Sequence, residues 1–195
     1  MLHFALGNWL ACAAKSSILE KERHIITGRR ILGIDPGTAT VGYGALFWRQ
    51  PERFEYLGSG IIKTLPNMGV GKRLSIIRSD LLSLLDEYKP DVLAVEALFF
   101  CKNVRTGMSV AQARGVILEA AECKSVPVKE YTPMQVKLHL TGFGRSDKRV
   151  VQDMIARLLE LPAIIRPDDA SDALALAVCH ARMSVADSVN PSRSA

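Results

Sequence analysis

The sequence predicts an α/β domain in which a mixed, five-stranded sheet is flanked by helices, and three observations lead there. Short apolar runs bounded by Gly and Pro alternate with longer stretches whose apolar residues recur at helical spacing. The first three runs follow one another directly, as a meander, before helices intervene. The chain has 195 residues, 48% hydrophobic and 23% charged, a globular balance with enough length for one sizeable core.

Taken in order, Arg30 to Ile34 is an apolar run that ends at Asp35-Pro36-Gly37, a strand followed by a turn. Val41 to Trp48 and Arg53 to Lys63 are two further strands, joined through the Gln50-Pro51 turn into an antiparallel meander. Lys72 to Tyr88 places Leu74, Ile77, Leu81, Leu84 and Leu85 on one helical face, and Pro90 stops it. Asp91 to Ala97 is a buried strand, Thr106 to Cys123 a helix rich in Ala and Gly, and Val126 to Tyr131 the fifth strand. Pro133 to Leu140 and Asp147 to Leu159 are helices around the loop Gly142-Phe143-Gly144, and Asp169 to Met183 is the last helix. The order β-β-β-α-β-α-β-α-α-α matches the ribonuclease H-like arrangement.

The two ends differ from this body. Residues 1–29 pass from mildly apolar to charged and read as an extension dispensable to the fold. Ala11-Cys12-Ala13-Ala14 has the look of a signal cleavage site. The segment before it lacks a positive charge, however, and Asn8 interrupts its apolar stretch, which argues against secretion. Residues 30–183 form the expected catalytic domain, and the Ser-rich stretch 184–195 reads as a frayed tail. No apolar run is long enough for a transmembrane helix. Cysteines at 12, 101, 123 and 179 lack metal-ligand or redox spacing and read as free thiols of a reducing, cytoplasmic compartment.

Charge is unevenly spread. Residues 101–150 carry nine Lys or Arg against four Asp or Glu, whereas 31–100 and 151–195 are slightly acidic. A basic block in a globular domain points to a polyanion partner; the ordinary alternative is a solvated surface.

The acids lie where acids are uncommon. Asp35 ends the first strand and Glu96 ends Val92-Leu93-Ala94-Val95, two apolar strands that each deliver one carboxylate. Asp168, Asp169 and Asp172 open the last helix, and either 168 or 169 shares a helical face with 172. Helical geometry alone does not choose between them, and acids in a first turn also suit the helix dipole and capping. Hard oxygen ligands of this kind suit Mg²⁺ or Mn²⁺, not zinc. Two such ions can serve the attacking water and the leaving oxygen of a phosphodiester, with a basic surface holding the backbone.

The residues from about Arg30 to Ala181 carry a resemblance. Ile31-Leu-Gly-Ile-Asp-Pro-Gly-Thr, Val95-Glu-Ala-Leu-Phe-Phe, Lys102-Asn-Val, Gln112-Ala-Arg-Gly, Gln135-Val-Lys, Thr141-Gly and Asp169-Ala-Ser-Asp-Ala-Leu-Ala-Leu-Ala occur in order and with the right spacing. Together they resemble RuvC-type Holliday-junction resolvases, whose fold is ribonuclease H-like. The resemblance implies four catalytic, metal-binding acids, which fall on Asp35, Glu96, Asp169 and Asp172; this selects Asp169 over Asp168. It implies a stacking platform for an unpaired base at Phe99, three residues after Glu96. It implies DNA contacts at Lys102, Lys137 and Lys148, the last two fitting phosphate clamps or stabilisers of transition-state charge. The ordinary readings are core packing for Phe99 and surface lysines for the others.

The activity so implied is resolution of four-way DNA junctions in recombination and repair. Paired symmetric nicks would leave a 3′-hydroxyl and a 5′-phosphate, with two Mg²⁺ per site and Mn²⁺ as a substitute. A homodimer is implied, since resolution needs two cuts, and its contact is assigned to the Ala/Gly-rich helix. A junction-binding, branch-migration helicase complex is the implied partner. Two other classes fit the residues less well. Asp35-Pro-Gly-Thr also resembles the first phosphate loop of actin-like sugar kinases, but the chain has neither a second such domain nor a Gly-rich adenosine motif. A binding-only junction module would not need all four acids.

Overall fold

The structure, a computed structural model, describes residues 28–49, 52–97 and 104–189. Its strands are β1 (Arg29–Asp35), β2 (Thr40–Arg49), β3 (Arg53–Lys63), β4 (Val92–Glu96) and β5 (Val128–Tyr131). Its helices are α1 (Val70–Tyr88), α2 (Val104–Cys123), α3 (Pro133–Thr141), α4 (Lys148–Leu158) and α5 (Asp168–Val189). One sheet runs in the order β3-β2-β1-β4-β5. The meander is antiparallel, while β4 and β5 run parallel to β1.

Both faces are covered, which is why β1 and β4 are nearly continuous apolar runs instead of alternating ones. Leu32, Ile34, Leu93 and Val95 pack with Ile77, Leu81 and Leu85 of α1 and Ala113, Ile117 and Ala120 of α2. On the other face, Ile31, Val92 and Ala94 pack with α5 and with Val136, Leu140, Val151 and Ile155 of α3 and α4. Side chains alternate along a strand, so Asp35 and Glu96 share this second face.

Small residues let α5 lie close to the sheet. A Cβ on Gly33 would stand 1.9 Å from the carbonyl oxygen of Ala173, and one on Gly42 would stand 2.1 Å from that of Asp169. Ala170, Ala173, Ala175, Ala177 and Ala181 are buried along the helix. With little side chain between the two backbones, the short acids of α5 reach the strand ends.

Element boundaries shift where hydrogen bonding outweighs pattern. The Val126 amide donates to the Ala121 carbonyl (3.0 Å) and closes the end of α2, so β5 starts at Val128 and not at 126. The helix α5 begins at Asp168 and continues to Val189, past Ser184, where fraying is expected from the sequence. Ser184 Oγ donates to the His180 carbonyl (2.9 Å), so its hydroxyl bonds within the helix. Cys123 is an exposed free thiol and Cys179 a buried one. Among the described residues no helix is long and apolar enough to cross a membrane.

Candidate active site

Ile34 pairs with Val95 in the parallel β1–β4 ladder, so the next residues, Asp35 and Glu96, end neighbouring strands side by side. The start of α5 passes over Gly42, the antiparallel partner of Asp35, and brings Asp169 and Asp172 to the same edge. The two basic positions come from separate helices. Thr132 caps α3 through a reciprocal box with Gln135 (3.2 and 2.8 Å), and Lys137 follows on that helix. Gly142 ends α3 at φ 77, a conformation that favours glycine, and the chain turns through Phe143-Gly144 toward Lys148 at the start of α4.

Asp35, Glu96, Asp172, Lys137 and Lys148 line one cleft of about 240 Å³, walled by Val136, Val151, Ala175 and Leu176. Asp169 does not line it, but its charge acts on Asp35. Phe99 and Lys102 lie outside the described residues. Arg145, in the loop between α3 and α4, is exposed.

The acids strain one another electrostatically. Burial, then the charges of Glu96, Asp172 and Asp169, push the Asp35 carboxyl up to about 8. The shift favours a protonated Asp35 beside Glu96. Burial also raises Glu96, although the neighbouring Asp35 carboxyl and the charge of Lys148 work against it. Asp172 is raised by burial despite the ammonium of Lys148, whose Nζ stands 2.8 Å from its Oδ2.

Asp168, which the motif reading sets aside, is engaged as well. Its Oδ2 lies 3.3 Å from Lys148 Nζ, and its Oδ1 pairs with Arg166. Gln152, one turn after Lys148 and buried, faces the same carboxylate. Its Nε2 reaches no acceptor at hydrogen-bond geometry, though it lies near enough to favour the charged form. Burial opposes that form, but Gln152, Lys148 and Arg166 outweigh it and hold Asp168 below the usual carboxylate range. The i, i+4 spacing of Lys148 and Gln152 was the readable signal for this group.

A second feature had no sequence signal. Tyr131 Oη and His180 Nδ1 are 2.5 Å apart and buried, joining β5 to α5. Because Tyr131 pairs with Glu96 in the β4–β5 ladder, this contact ties the helix of Asp172 to the strand beside Glu96.

In kind, the donor set fits a hard divalent cation: carboxylates from two strands and a helix line one cleft, and their mutual repulsion is what a positive charge would relieve. Among the described residues no three Asp, Glu, His or Cys are gathered tightly enough to enclose an ion as they stand. Asp172 is instead paired with Lys148.

A mixed sheet whose two central parallel strands end in carboxylates, crossed by a helix that starts with more of them, defines the ribonuclease H-like class of nucleases. A family model described as crossover junction endodeoxyribonuclease RuvC matches residues 31–180. Crossover junction endodeoxyribonuclease RuvC of Thermomicrobium roseum is 46% identical over 151 residues, covering 77% of this chain and 91% of that protein. The Rubrobacter xylanophilus protein of the same name is 48% identical over 170 residues, covering 86% and 94%. Among solved structures, Thermus thermophilus RuvC in complex with Holliday junction substrate superposes with a TM-score of 0.76 at 34% identity, covering 80% of this chain and 96% of that one. The chain belongs to the crossover junction endodeoxyribonuclease RuvC family, nucleases that depend on a divalent metal to hydrolyse phosphodiester bonds.

Proposed function

We propose that this protein resolves four-way DNA junctions by paired, symmetric nicks, and that Asp35, Glu96, Asp169 and Asp172 hold two Mg²⁺ ions, with Mn²⁺ as a substitute. One observation carries the reading. Three of these acids and two lysines, drawn from five separate elements, line a single cleft in a chain of this family.

When bound, the ions would supply a nucleophilic water and a positive charge for the leaving oxygen. The chain's own residues do the rest. Lys137 and Lys148, on adjacent helices at the cleft, are placed to hold a phosphate and to offset charge that develops on it. The walls of Val136, Val151, Ala175 and Leu176 limit water beside the scissile bond. Asp35 and Glu96 serve as ligands when both are ionised, and a bound cation would favour that form by offsetting the repulsion that raises Asp35. Phe99 completes the reading as a base-stacking residue, with Lys102 as a further backbone contact.

Two nicks call for two sites, and we assign the dimer contact to α2. A Cβ added at Gly107 or Gly115 would meet nothing within 4 Å, and Met108 is 63% exposed, so part of this helix is not covered by its own chain. Light scattering showing a monomer at micromolar concentration would count against this. A branch-migration helicase as partner rests on the family resemblance alone.

The deciding experiment compares a labelled mobile four-way junction with linear duplex in Mg²⁺, for the wild type and Glu96→Gln. Symmetric nicks on the junction alone, lost in E96Q and in EDTA, are expected. Junction binding without cleavage in either metal would mean a binding module; equal cutting of duplex would remove the junction selectivity.

A further inference from the structure

Beside the four carboxylates assigned to metal stands a fifth, Asp168, outside the cleft lining and paired with cations of its own. Asp168 and Asp172 stand one turn apart on α5 and flank a single ammonium, Lys148 Nζ, at 3.3 and 2.8 Å. The other oxygen of Asp168 pairs with Arg166, which fixes the carboxylate's orientation. Asp168 does not line the cleft, whereas Asp172 and Lys148 do.

This arrangement poses a conflict. If Asp172 turns to a divalent cation, Lys148 loses its nearer partner and meets a positive charge. A lysine with no second anchor would either keep Asp172 from the ion or swing away from the phosphate. We propose that Asp168 is a positioning residue that retains Lys148 at the cleft while Asp172 is released to the metal. This rests on the reading of Asp172 as a metal ligand. By sharing the ammonium, Asp168 weakens the competition of Lys148 for Asp172; after release, it keeps the charge within reach of the substrate phosphate.

The test is a double-mutant cycle read by calorimetric titration with Mn²⁺, in the absence of DNA, on the wild type, Asp168→Asn, Lys148→Met and the double variant. Asparagine keeps the size of Asp168 and its compatibility with a helix start. Asp168→Ser, which keeps a capping hydroxyl, replaces it if thermal melting shows D168N to be unfolded. The proposal expects D168N to weaken Mn²⁺ binding on the order of three- to ten-fold. With Lys148 removed, the same substitution should change it by less than about two-fold. Equal losses in both backgrounds would mean that Asp168 acts only through its charge, and no loss in D168N would mean that it does not act on Lys148; either overturns the proposal. Asp172→Asn is the separate check. If it leaves Mn²⁺ affinity unchanged, the metal-ligand reading fails and this proposal falls with it. If D172N abolishes binding while the cycle shows no coupling, only the role of Asp168 is lost.

Discussion

Asp35 and Glu96 each stand one residue beyond the Ile34–Val95 pair of two neighbouring parallel strands, so their carboxyls crowd together at the centre of the site, and burial with the charge of Glu96 raises Asp35 to about 8. The site as folded without metal is therefore a store of unfavourable charge that protonation reduces.

That has a consequence for stability. Asp35 binds its proton more tightly when folded (about 8) than when unfolded (3.8), so its contribution is fully present below the lower value and is lost as pH rises through the higher one. In EDTA, Tm should fall between about pH 4 and pH 8 more steeply for the wild type than for Asp35→Asn. At pH 8 the variant should be the more stable by about 2 kcal/mol, or about 4–8 °C. Circular dichroism melts across that range check this, and parallel curves for the two proteins would contradict it.

Glu96→Gln and Asp172→Asn should separate binding from chemistry. Each should lower junction cleavage in Mg²⁺ on the order of 10³-fold. Junction affinity in EDTA, measured by gel shift, should stay within about three-fold, since neither acid attracts the phosphates. A variant that cuts at near wild-type rate removes that residue from the site.

Lys137 is expected to act through phosphate. Lys137→Ala should weaken junction binding similarly whatever the sequence at the crossover, and should reduce the slope of log affinity against log salt by about 1. Fluorescence anisotropy over a salt series gives this number; an unchanged slope would return Lys137 to an ordinary surface role.

The close approach of α5 to the sheet predicts a strong effect of size at Gly33. Gly33→Val drives a side chain into the Ala173 backbone and should cost about 3 kcal/mol or more, with loss of activity as the helix acids are displaced. Gly71→Ala, within α1 and with open space at its Cβ, should instead stabilise by about 0.5 kcal/mol. Urea denaturation of the two variants decides it.

Much of this protein was legible along the chain. The periods of two and of 3.6 separate its strands from its helices, and an apolar strand that ends in one acid is a local signal at both Asp35 and Glu96. Helical spacing left Asp168 and Asp169 as alternatives beside Asp172; the resemblance to the family implied Asp169 and gave Lys137 and Lys148 their expected roles. The tertiary structure alone decided which of these groups touch. That β1 lies beside β4, so that Asp35 meets Glu96, follows from packing both sheet faces and not from any local pattern. The pairing of Lys148 with Asp168 and Asp172 spans separate helices, and the bond between Tyr131 and His180 joins a strand to a helix 49 positions away. Periodicity reports the face on which a side chain lies; its partner is set by the depth at which elements meet. Here that depth was fixed by glycines at 33 and 42 and the alanines of α5, residues with no chemistry of their own.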